Sequence, residues 1–159
     1  MAIGEKNERL IVSTSFGAGK IVGTQKFTNN SDEFTVIESL ETNVKTFIGP
    51  REKNKYRFLS QAITIQEIFD FLNSVKSFPA HLSKKERISY LKERARVEEI
   101  FTIASTIKEI YSFNDRGNAE EKILTDLINT LALEISMVLE ISQELAKEQI
   151  IAALNGEKA

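Results

Sequence analysis

The sequence predicts an α+β protein, a small β module followed by a bundle of about five helices. Three observations carry that reading. Up to about Ser60 apolar residues alternate with polar ones, as in Arg9-Leu10-Ile11-Val12-Ser13-Thr14 and Asn43-Val44-Lys45-Thr46-Phe47-Ile48. Beyond it they recur at three and four, as in Ile100, Ala104, Ile107 and Tyr111. Period two marks strands and period 3.6 marks helices. The third observation is a basic stretch, Lys84 to Arg96, which falls in the helical part. Residues 1–60 and 61–159 therefore form two modules, and the first, at about 60 residues, would be marginal alone.

Four or five short strands fit the first module, roughly Arg9–Ser15, Lys20–Phe27, Glu33–Ser39, Asn43–Ile48 and Tyr56–Ser60. Turn formers separate them, namely Gly17 and Gly19, Asn29-Asn30-Ser31, Glu41-Thr42, and Gly49-Pro50. Each tolerates positive φ or offers a side chain that mimics a turn hydrogen bond. Short strands at spacings of roughly ten residues point to a barrel or a tightly rolled sheet.

The helices are marked by their caps. Thr64-Ile65-Gln66-Glu67 has the capping-box pattern and would open a helix carrying Ile65, Ile68, Phe69 and Leu72 that stops before Pro79. Ser83-Lys84-Lys85-Glu86 has the same pattern and opens the basic helix. A third helix is expected from about Val97 to Phe113, a fourth capped by Asn118, and a fifth capped by Ser142 and ending near Gly156. Amphipathic helices on short connections bury their stripes on one another.

Composition excludes several classes of function. The net charge of −2 means that any nucleic-acid contact must come from a local patch. The absence of cysteine removes disulfides, thiolate chemistry and cysteine zinc sites. The single histidine, His81, cannot build a histidine metal cluster or a relay, and reads as a linker residue. No metal, cofactor or catalytic residue is expected. Met1 to Arg9 is polar and charged, unlike a signal peptide, and no apolar run reaches the ~18–20 residues of a membrane span. A cytoplasmic protein is expected.

Gly17-Ala18-Gly19-Lys20 superficially resembles the end of a phosphate-binding loop. It lacks the earlier glycine, has Ile21 where Ser or Thr must follow, and runs into a strand where a helix is required. Glu98-Glu99 and Glu120-Glu121 are adjacent in sequence, so on a helix they diverge by about 100°. They read as solvated charge, the second pair favourable to a helix N-terminus.

On a helical wheel Ile88, Leu91 and Ala95 form one narrow stripe of the basic helix. Lys85, Lys92 and Arg96 lie along one flank, Arg87 and Arg94 along the other, and Glu86 and Glu93 point away. The cations thus sit between core and solvent. Either their stems cover apolar surface while their heads reach water, or they form a ridge that follows a phosphate backbone without reading bases.

Taken in order, three segments resemble the CarD/CdnL family of bacterial transcription regulators. They are Leu10-Ile11-Val12…Phe16-Gly17-Ala18-Gly19-Lys20-Ile21-Val22-Gly23, then Val44-Lys45-Thr46-Phe47-Ile48, then the helical tail. In the tail Leu82-Ser83-Lys84-Lys85-Glu86-Arg87 and Glu134 to Ser142 with Leu145-Ala146 carry the likeness. The β module also resembles the RNA-polymerase-interacting domain of transcription-repair coupling factors.

The resemblance implies a Tudor-like N-terminal barrel that docks on the RNA polymerase β subunit through a sheet edge. It assigns docking to Lys26, Phe27, Lys45 and Phe47. It also implies a helical domain that contacts promoter DNA just upstream of the melted region, weakly and without sequence preference. The ridge Lys84, Lys85, Arg87, Lys92, Arg94 and Arg96 would make that contact. Two departures stand out. Well-studied members have arginines near the positions of Phe27 and Phe47. Many members also place a tryptophan wedge before the basic helix, and this chain has no tryptophan. Phe78 or Leu82 would take that place, since other apolar wedges also unstack base steps. The expectation is a monomeric, non-enzymatic regulator, associated with the nucleoid through polymerase and not with a membrane. The alternative is a protein–protein adaptor that binds polymerase or another partner and has no DNA role.

Overall fold

A computed structural model of the chain describes residues 10–27, 32–75, 78 and 83–156, with Lys53 described by its backbone alone. The chain divides into two compact units, Met1–Leu59 and Ser60–Ala159. The class is α+β: among the described residues there is one five-stranded antiparallel sheet, then five α-helices.

The strands of the first unit are β1 (Leu10–Ser13), β2 (Gly17–Lys26), β3 (Glu33–Ser39), β4 (Lys45–Ile48) and β5 (Arg57–Phe58), with a 3-10 turn at Lys53–Lys55. Their order is β4-β3-β2-β1-β5, so β4 and β5 are the two edges. The sheet is open: among the described residues no ladder joins β4 to the two-residue β5. Ile11, Ile37 and Ile48 form the core, with Phe16, Ile21 and Tyr56 packed against them.

Gly17 and Gly19, expected in a turn, lie within β2, and the turn is Thr14 to Phe16. Gly17 has φ 79, so it makes the left-handed step that launches the strand. Gly19 serves a close approach, because a Cβ there would lie 2.7 Å from Ile37 Cγ2. The ladder between β2 and β3 shifts register between Ile21 and Gly23, a bulge that bends the long strand.

The second unit comprises α1 (Ala62–Asn73), α2 (Lys84–Arg94), α3 (Ile100–Ser112), α4 (Asn118–Leu139) and α5 (Gln143–Leu154). The 22-residue α4 touches each of the other four. Ile103, Ile107, Ile110, Leu131, Ile135 and Ile150 are fully buried in one continuous core. Burial of each contributes roughly 1.5–3 kcal/mol.

Two expected caps are present. Ser83 accepts the Glu86 N–H at 3.2 Å and Ser142 the Leu145 N–H at 3.1 Å. Three other starts differ from expectation. Thr64 lies inside α1, whose N-cap is Gln61 with no side-chain bond of its own. The third helix starts at Ile100, because the Glu99 carboxylate accepts from Phe101 and Thr102 and caps it there. The fourth begins one residue earlier than a cap at Asn118 implies: Gly117 is the N-cap, its N–H bound by the Glu120 carboxylate at 3.2 Å.

Candidate functional site

Two surfaces gather the residues singled out in the sequence, one on each unit. On the first, β4 is an edge strand with one backbone side unpaired among the described residues. Its Phe47 lies opposite Val36 on β3. Phe27 follows the last residue of β2, and its ring meets Phe47 edge-on at 5.2 Å. Phe34 also meets Phe27 edge-on, at 5.2 Å.

The fold thus brings Phe27 against both Phe47 and Phe34, the latter a ring that sequence reasoning did not select. Phe27 and Phe47 each remain 39% exposed, so the cluster is a surface feature and not a closed core. Lys26 pairs in register with Glu33 and Lys45 with Glu38, and both lysines are exposed. The surface therefore combines free main-chain donors and acceptors, an aromatic patch and two flanking cations. That is the chemistry for accepting another strand edge.

On the second unit the basic helix α2 divides its cations between two tasks. Arg87 turns inward. Its Nε and Nη2 donate to Glu120 at 2.5 and 2.8 Å, its Nη1 to Asp115 at 3.1 Å, and the Phe113 ring lies 4.1 Å from its guanidinium carbon. Glu120, expected as a solvated first-turn charge, is completely buried. Burial pushes its carboxyl up, but the Arg87 and Gly117 hydrogen bonds and the Arg87 and Lys84 charges outweigh that and hold it below its usual value. Hydrogen bonding to Arg87 likewise lowers Asp115, and the bond to Glu120 raises Arg87 itself.

Arg94 is also engaged within the unit. It donates to the buried Thr106 hydroxyl at 3.1 Å and to Tyr90 Oη at 3.3 Å, while Tyr90 donates to Glu109 at 3.1 Å. Burial and the Glu109 charge raise the Tyr90 phenol above its ordinary value. Arg87 and Arg94, both expected in the ridge, thus fasten α2 within the unit. The fully buried Leu91 secures the core side of the helix.

Lys84, Lys85, Lys92 and Arg96 stay exposed. Lys85 and Lys92 share one flank of α2, roughly 10 Å apart at 1.5 Å per residue, whereas Arg96, expected on that flank, lies in the turn after the helix ends at Arg94. Arg96 lies 3.6 Å from Glu93, with both side chains more than three-quarters exposed, so that pair contributes about 0–1 kcal/mol. Of the expected wedge residues, Phe78 is half-buried, and Leu82, like His81, lies outside the described residues.

Among the described residues no cluster of three or more His, Cys, Asp or Glu could hold a metal ion. No described helix is long and apolar enough to cross a membrane. No protein-family model matches the chain, and no curated protein matches it significantly.

Proposed function

We propose that the protein is a non-enzymatic transcription regulator of the CarD/CdnL type, docking on the RNA polymerase β subunit through β4 and the Phe27–Phe47 patch. The observation that carries this reading is the coincidence of a free strand edge with exposed aromatic rings 5.2 Å apart. Main-chain pairing along such an edge supplies affinity, and the alternate side chains supply specificity. In this reading the first unit is a Tudor-like module. Lys26 and Lys45 flank the contact.

The second unit would then hold Lys84, Lys85, Lys92 and Arg96 near promoter DNA upstream of the melted region. Docking raises the local DNA concentration, so a weak patch suffices. The test is binding of the full-length protein to an isolated polymerase β lobe beside its Phe47→Glu variant. Micromolar or tighter binding that the variant abolishes supports docking, and no binding by the unaltered protein refutes it.

The exposed Glu86 and Glu93 beside the exposed cations favour a second reading, a polymerase adaptor without a DNA role. Promoter melting separates the two. A regulator changes it with a salt dependence of about −0.9 in log–log slope per neutralised phosphate, whereas an adaptor leaves melting unchanged at every salt concentration.

A further inference from the structure

The segment from Arg51 to Phe58 has a charge unlike that of the whole chain. Arg51-Glu52-Lys53-Asn54-Lys55-Tyr56-Arg57-Phe58 holds four cations against one acid, in a chain whose net charge is −2. It leads from β4 through the 3-10 turn into β5, the sheet edge opposite β4. Hydrogen bonds fasten the connection. The Glu52 N–H donates to the Gly49 carbonyl and the Lys55 N–H to the Glu52 carbonyl, each at 3.0 Å. The Ser13 hydroxyl of β1 donates to the Lys55 carbonyl at 2.7 Å.

The two aromatic residues of the segment differ in burial. Tyr56 packs against the Ile11, Ile37 and Ile48 core. Phe58 lies opposite Ile11 in the ladder with β1, and its ring meets that of Tyr56 edge-on at 6.2 Å. It nevertheless stays 53% exposed. A lone exposed phenylalanine calls for no explanation. Here the exposed ring belongs to the same eight residues as Arg51 and Lys55, both exposed, on a segment already held in place. Lys55 faces Glu52 at 3.5 Å, but both side chains are about half in water, so that pair is weak and yields to a phosphate.

We infer that this segment is a binding site for single-stranded nucleic acid, with a base stacking on Phe58 and backbone phosphates meeting Arg51 and Lys55. Proteins that hold single strands without reading their sequence combine the same two elements, an aromatic platform and positive charge. A duplex keeps the faces of its bases within its own stack, so the ring selects unpaired nucleotides. An acidic peptide would use the cations and not the ring. The site lies on the other edge from the strand proposed for docking and needs nothing from that reading.

The test is a titration of a labelled oligothymidylate of about 16 nucleotides with the full-length protein at low salt. The oligonucleotide binds, and neither a duplex of the same length nor polyglutamate displaces it as well as the unlabelled strand. Phe58→Ala weakens binding at least ~5-fold, and Arg51→Gln lowers the log–log salt slope by about 0.7. The chain has no tryptophan, so Phe58→Trp places a single indole at the site, and stacking quenches its fluorescence when the strand is added. The inference is overturned if the oligonucleotide does not bind, if duplex or polyglutamate competes equally, if Arg51→Gln leaves the salt slope unchanged, or if the strand binds Phe58→Trp without quenching it. Should Phe58→Ala fail to fold, the Phe58→Trp signal decides.

Discussion

Arg87 and Glu120 form a two-pronged ion pair, at 2.5 and 2.8 Å, between the basic helix and the first turn of the longest helix. Glu120 also binds the Gly117 N–H that starts α4. A single carboxylate thus caps one helix and fastens another.

Loss of Arg87 strands that buried carboxylate. Arg87→Ala should cost about 3–5 kcal/mol, the range for breaking a buried pair from one side, measured by chemical denaturation. The pair also sets an acid limit. Glu120 and Asp115 are held below their ordinary values, 4.5 and 3.8. Their contribution is complete at neutral pH and is lost as pH falls through the lowered folded-state values. Melting temperatures should therefore fall on acidification below about pH 4.5. Glu120→Gln should be less stable at neutral pH and lose less on acidification.

The exposed and the fastened cations should behave differently. Lys85→Gln, Lys92→Gln and Arg96→Gln should each change stability by no more than the roughly ±0.5 kcal/mol typical of surface changes. Each that meets a phosphate should flatten the salt dependence of promoter effects by about one unit of log–log slope. Arg94→Gln should instead lower stability, since it leaves the buried Thr106 hydroxyl and Tyr90 without their shared donor. Thermal unfolding paired with a salt titration separates the two groups.

The two flanks of α2 also show what was legible in the sequence. Periodicity identified α2, its core stripe and its Ser83 cap, because each depends on residues a few positions apart. It could not say which flank meets protein, since the partner of Arg87 is Glu120, 33 residues on. The start of α1 was also misplaced: the local pattern favoured a cap at Thr64, whereas the helix begins at Ala62 after Gln61, with no side-chain cap to mark it. On the sheet, Phe27 and Phe47 were selected by resemblance, while Phe34 emerges only from the register of β2, β3 and β4. The open sheet is likewise a matter of pairing, which the alternation of apolar residues does not encode.

The end of α4 offers a stabilising change. Glu140 adopts φ 56, ψ 47, the left-handed conformation that closes the helix through the Ile141 N–H on the Ser136 carbonyl at 3.2 Å. A side chain there strains the backbone by roughly 1–2 kcal/mol, and glycine is the residue suited to the position. Glu140→Gly should raise the midpoint of denaturant unfolding, with the denaturant slope unchanged.

Docking through the β4 edge is tested most directly by amide exchange over Lys45–Ile48, measured on the full-length protein with and without an isolated polymerase β lobe. The expected result is slowed exchange in β4 when the lobe binds, with β5, the opposite edge, unchanged, and with the effect absent in Phe47→Glu. Binding of the lobe that leaves β4 exchange unaltered would contradict this reading and move the contact elsewhere on the protein.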